Sequence, residues 1–121
     1  EMILLNPDKQ FSIFGDKFLS SNFNNWWIIW TPWEITTFSQ GEEPFLLNRS
    51  GEQLKKVIVL DEYNTLGLIW SDKMTAIFPY YFVNHNLINN KINDAVVDTQ
   101  KRVLYFSANL NNQDGLWQIK Y

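Results

Sequence analysis

His85 is the one histidine of the chain, and cysteine is absent. A nucleophilic hydrolase needs a base such as imidazole within hydrogen-bond reach of its nucleophile. Here the candidate lies in an Asn84-His85-Asn86 run between apolar stretches, the setting of an exposed connection. The same counts exclude two-histidine zinc motifs, thiolate chemistry and disulfides. Carboxylates remain. Glu42-Glu43, Asp61-Glu62 and Asp94 with Asp98 are the pairs able to flank a glycosidic bond or hold a divalent ion. None has calcium-loop spacing, and each falls at an expected turn, where acids are simply solvated. The five glycines, at 15, 41, 51, 67 and 115, stand singly, so no phosphate-cradling loop or nucleophile elbow can be built. The expectation is a protein without catalytic residues, metal ligands or cofactor.

What remains is surface recognition. Thirteen acids against ten bases give a net charge of −3, and the longest basic clusters are the pairs Lys55-Lys56 and Lys101-Arg102. Nucleic-acid binding normally requires a cationic stripe, so that partner class is not expected. A small, acidic, cysteine-free chain fits a protein-binding module, in its most specific form an inhibitor or immunity protein that occludes the active face of a basic toxin such as a nuclease. The acids at turns, Glu42, Glu43, Asp61, Glu62 and Asp72, would supply the charge. Tyr63, at an expected hairpin tip, and Trp70 would supply aromatic anchors.

A second reading starts from Trp26, Trp27, Trp30 and Trp33. On one strand, Trp26 and Trp30 would share a face opposite Trp27 and Trp33. One pair would then be core while the other is displayed to a sugar or small ligand, unless both faces are covered. A carboxylate-dependent hydrolase is the third and weakest reading.

These residues have to be held by a scaffold, and the sequence describes one. The 121 residues suit a single domain over 1–121, and the six Trp, five Tyr and nine Phe are enough to build a core. The most apolar run, Trp26 to Trp30, is far short of the ~18–20 residues that cross a bilayer. No membrane association is expected, and the lack of cysteine suits a cytoplasmic setting. No internal repeat is evident.

Asn6-Pro7-Asp8 resembles a helix start, and Phe11, Phe14 and Phe18 recur at helical spacing, predicting one helix from about Asp8 to Ser20. Trp26 to Thr37 reads as one strand covered on both faces, with a bulge or edge at Pro32. Lys56 to Asp61 and Thr65 to Trp70 read as a hairpin, and Met74 to Phe82 as a half-buried strand of period two. Asn84 to Asp94 is an excursion with one helical turn near Leu87 to Ile92. Ala95 to Val97 and Arg102 to Leu110 form a second hairpin. Asp114-Gly115 is the sharpest turn signal, and Leu116 to Tyr121 the last strand. The fold expected is mainly β, a curved antiparallel meander or small open barrel with one N-terminal helix. Whether the chain is a monomer or dimer stays open.

Overall fold

The computed structural model describes residues 2–6, 9–13, 15, 17–20, 26–39, 42–79, 81 and 83–121. The chain divides into two compact units, Glu1–Gln53 and Leu54–Tyr121. All regular structure among the described residues is antiparallel β, and the sheets do not close into a barrel.

Unit 1 holds the hairpin β1 (Met2–Asn6) and β2 (Lys9–Ile13), then a four-stranded meander of β3 (Lys17–Ser20), β4 (Trp26–Trp30), β5 (Glu34–Ser39) and β6 (Phe45–Arg49). The helix expected over 8–20 is therefore corrected to strand at 9–13 and 17–20. Helical spacing of three Phe is weak against a segment that also alternates, as Phe11-Ser12-Ile13 does. Pro7, Asp8 and Phe14 of that expectation lie outside the described residues, as do Asn22 to Asn25, Tyr80 and Phe82. The single strand expected from Trp26 to Thr37 is two strands. The chain turns at Thr31-Pro32-Trp33, where the Thr31 hydroxyl accepts hydrogen bonds from the Trp33 and Glu34 N–H groups at 3.1 and 3.2 Å. Aromatic and β-branched side chains on both sides hide that turn from the sequence. The buried centre of this sheet is Ile28, Ile29, Trp30, Ile35 and Leu47.

Unit 2 holds a second four-stranded meander, β7 (Leu54–Val59), β8 (Leu66–Trp70), β9 (Met74–Phe78) and β10 (Val83–Ile88). A three-stranded one follows, β11 (Ile92–Asp98), β12 (Val103–Leu110) and β13 (Gln113–Lys120). The two hairpins expected over 56–70 and 95–110 are formed. The excursion over 84–94 is instead strand β10 leading into β11. Its Asn-His-Asn run is polar because an edge strand exposes its side chains. The turn assigned to Asp114-Gly115 belongs to Asn111-Asn112, both left-handed with φ of 52° and 62°. That pair makes the two-residue primed turn that suits a hairpin and leaves two eight-residue strands in register.

The two sheets of unit 2 share one core. Leu60, Ile69, Met74, Ala76 and Ile88 from the first meet Ile92, Ala95, Leu104, Phe106 and Ala108 from the second. Lys56 on β7 donates to Asp94 Oδ1 at 2.7 Å and to the Ala95 carbonyl at 3.1 Å on β11, so these two strands start side by side. At their far ends the Tyr121 hydroxyl, just past β13, donates to the Leu60 carbonyl.

A repeat runs through both units. First strands start at residues 17, 54 and 92, second strands at 26, 66 and 103, third strands at 34, 74 and 113, a period of 37–40 residues. The irregularities repeat as well. The fourth strands β6 and β10 carry the extra residues Leu47 and Leu87, and the first strands β7 and β11 carry Lys55 and Asn93. The sequence reading missed this period. Its visible trace is Ile29-Trp30-Thr31 with Phe38 against Ile69-Trp70-Ser71 with Phe78.

Candidate functional site

A meander places successive turns at alternate ends of its sheet, and that separates the acids singled out above. Asp61, Glu62 and Tyr63 lie between β7 and β8, while Asp72 lies between β8 and β9, at the opposite end of a strand spanning ~17 Å. Glu42 and Glu43 are exposed in the β5–β6 connection of unit 1, where Glu42 Oε2 accepts from the Ser39 hydroxyl at 2.9 Å. Within unit 2 the structure does not gather Asp61, Glu62 and Asp72 into one patch.

Two of them leave the surface altogether. Trp70, expected as an anchor, is 4% exposed and its indole N–H donates to Thr75 Oγ1 at 2.9 Å. Asp61 is 7% exposed, and its Oδ1 accepts from the N–H groups of Tyr63 and Thr65 at 2.9 and 3.1 Å. It staples a turn in which Asn64 takes a left-handed φ of 60°. Asp61 therefore holds the turn that carries Tyr63. Glu62, Tyr63 and Asp72 are exposed.

The end of unit 2 that carries Tyr63 holds more. Tyr81 sits in the β9–β10 connection at the same end, its N–H bonded to the Phe78 carbonyl at 3.1 Å. Tyr63 is 66% and Tyr81 78% exposed. Their turns are two strand spacings apart in the sheet, about 10 Å. The β11–β12 turn arrives at this end too. Asp98 Oδ1 accepts from the Lys101 N–H at 3.0 Å, Arg102 has φ 55°, and its guanidinium lies over the Tyr121 ring at 5.2 Å. Arg102 Nε also donates to the Tyr121 backbone oxygen at 3.0 Å. Burial, helped by the Asp61 charge and opposed by Arg102, raises the Tyr121 phenol above its ordinary 10.0. Tyr121 and Arg102 thus clamp the end of one sheet to the other, while Tyr63, Tyr81 and Lys101 project from it.

Other candidates are poorer. His85 is exposed on β10, edge-on to Phe78 with 5.5 Å between ring centroids. Trp27 is half-exposed but its ring runs parallel to Phe38 at 6.3 Å, and Trp33 is exposed at the β4–β5 turn. A dimple of about 220 Å³ on the outer face of β11–β13 lies between Val96, Tyr105, Ser107 and Leu116. It is shallower than the about 300–1,000 Å³ clefts that take small molecules. Among the described residues no group of three or more His, Asp or Glu side chains is placed to hold a metal ion. No helix among them is long and apolar enough to cross a membrane.

Neither a protein-family model nor a curated protein matches the chain. Among solved structures, the N-terminal domain of Nup159, a β-propeller, is similar at TM-score 0.56 and 10% identity, over 85% of this chain. The likeness is one of fold. The chain spans 30% of that structure's length. Four-stranded antiparallel meanders recurring about every 40 residues are also what propeller blades consist of.

Proposed function

We propose that this chain is a non-catalytic protein-binding module built of blade-type sheets, which meets its partner through the loop tips of unit 2. The observation carrying this reading is the pair of exposed tyrosines, Tyr63 on a turn held by the Asp61 carboxylate and Tyr81 with its N–H bonded to the Phe78 carbonyl. Large exposed aromatics at loop tips gain no packing where they are. Exposed aromatics of this kind have the profile of interface hot spots. Glu62 and Lys101 at the same end add one charge of each sign, so the partner surface is apolar with charged groups at its margin. Within unit 2 the acids of the toxin-inhibitor reading fall at opposite ends of the sheet, so the displayed tyrosines support the broader class better than its inhibitor form.

The test is capture and identification of a stoichiometric partner, followed by affinity measurement on paired variants. Tyr63→Ala and Tyr81→Ala should each weaken binding by about 2 kcal/mol, roughly 30-fold. Asp72→Ala, at the opposite end of β8, should leave affinity within about twofold. Equal losses at both ends, or none at the tyrosines, would refute this assignment.

A further inference from the structure

We infer that the occupant of the Tyr63 and Tyr81 tips is a proline-rich segment of another protein in the polyproline II conformation, flanked by a basic residue. The inference rests on the proposal that these tips are the interface, and names what they hold. Tyr63 is 66% and Tyr81 78% exposed. Their turns, β7–β8 and β9–β10, stand two strand spacings apart at one end of a four-stranded sheet, about 10 Å.

Spacing and hydrogen bonding select the occupant together. A polyproline II helix advances ~3.1 Å per residue with three residues per turn, so like-facing residues recur every ~9 Å. That matches the two turns. In an extended strand like-facing residues recur at ~7 or ~13 Å, which straddles the separation. A strand also needs an open backbone ladder, whereas the tip N–H groups are used within their own turns. Tyr63 and Thr65 donate to Asp61 Oδ1, Asn64 to the Asp61 carbonyl and Tyr81 to the Phe78 carbonyl. An α-helix does place residues seven apart at ~10.5 Å, but its carbonyls are closed in its own hydrogen bonds. A polyproline II backbone has no internal hydrogen bonds, so every carbonyl is an open acceptor. Tyrosine answers both features: its ring packs on a proline ring and its O–H donates to a carbonyl. Aromatic-lined surfaces recognise proline-rich segments in this way.

Charge sets the flank. The turns that carry the two tyrosines, residues 61–65 and 79–82, contain Asp61 and Glu62 and no basic residue. Glu62 is exposed and precedes Tyr63, so it meets the residue just beyond the prolines that lie on Tyr63. Lys or Arg is favoured there over Asp or Glu. Lys101 belongs to the β11–β12 turn of the other sheet.

Fluorescence anisotropy of a labelled decaproline ending in Arg-Arg, titrated with the full chain, tests this. The peptide should bind, and a Gly-Ser peptide of the same length and ending should not. Tyr63→Ala and Tyr81→Ala should each weaken binding about tenfold or more, and Tyr63→Phe, which removes only the O–H, about fivefold. An ending of Glu-Glu should weaken binding to the wild type, and Glu62→Gln should shrink that difference. Circular dichroism separates lost binding from lost folding: each variant should keep the wild-type β spectrum. No binding of the decaproline, equal binding of the Gly-Ser peptide, or affinity unmoved by either alanine variant would overturn the proline assignment. Competition with the captured partner tells the two levels apart. If Tyr63→Ala weakens that partner but the decaproline does not displace it, the tips remain the interface and this inference falls. A partner indifferent to both tyrosines refutes the interface itself.

Discussion

The β4–β5 and β8–β9 hairpins occupy the same place in two sheets, forty residues apart, and share Ile-Trp followed by Thr or Ser. Their frames agree: Trp30 and Trp70 are both buried, and both turns close with a backbone hydrogen bond, Thr31 N–H to Glu34 O and Trp70 N–H to Lys73 O. Their details differ. Trp70 donates to Thr75, whose counterpart is Ile35, while Trp30 lies under Lys17, 5.1 Å from the ring centroid. One turn displays Trp33, the other Asp72 and Lys73. The repeat fixes apolar burial and leaves tips and polar partners free to vary, which supports the proposal that recognition belongs to the tips.

The tryptophans are the largest test of that comparison. Trp30→Ala and Trp70→Ala should each cost about 3–5 kcal/mol in denaturant unfolding, as large core truncations do. The pair diverges on Trp→Phe. At 70 that change also strands the buried Thr75 hydroxyl and should cost about 1 kcal/mol more than at 30. Equal costs at both positions would show that the indole hydrogen bond is energetically silent.

How far the sequence carried this reading depended on which signals were local. The 56–70 and 95–110 hairpins were legible because polar turn residues interrupt short apolar runs rich in aliphatic and aromatic side chains. The period was not, because a blade strand needs only apolar side chains at alternate positions, and many residues satisfy that. Only the Ile-Trp landmark and the following Phe survive between sheets. Asn111-Asn112 and Asp114-Gly115 are both good turn dipeptides, and only the pairing of β12 with β13 decides between them. At the site, Tyr63 was legible as an aromatic with no local packing to explain it. The burial of Asp61 was not, since turn acids are solvated far more often than they are used as staples. Trp70 looks the same as a displayed tryptophan until the sheet around it is known.

The next contrast sets Gly67 against the same repeat position in β4, which is Trp27. Gly67 lies on the face that packs on β11–β13, and a Cβ there would stand 2.7 Å from Met74 Cε and 2.9 Å from Ile58 Cγ1. Trp27 needs no such clearance, being half-exposed. Gly67→Ala should destabilise the chain by about 1–3 kcal/mol through overpacking. Gly51→Ala, where nothing lies within 4 Å, should be within about 0.5 kcal/mol of wild type. A neutral Gly67→Ala would mean that the Met74 thioether swings aside and that the sheet interface is looser than its burial suggests.

The smallest effect concerns two ion pairs in different settings. Arg49 and Glu34 meet at 3.2 Å within one sheet, across β5 and β6, whereas Lys56 and Asp94 meet at 2.7 Å between two sheets. The Lys56 hydrogen bond first, then the Ala95 N–H and the Lys56 charge, hold the Asp94 carboxyl below its ordinary 3.8. A carboxyl with a lowered folded pKa stabilises the fold above its unfolded value and loses that contribution as pH falls through the folded one. Both pairs are largely exposed, so Glu34→Gln and Asp94→Asn should each cost under about 1 kcal/mol at neutral pH. The Asp94→Asn deficit should shrink as pH drops below 3.8 and be lost once pH falls past the lower folded value, where the wild-type carboxyl is neutral as well. A deficit that persists unchanged into strong acid would show that Asp94 acts through its hydrogen bond to Ala95, at 2.8 Å, and not through its charge.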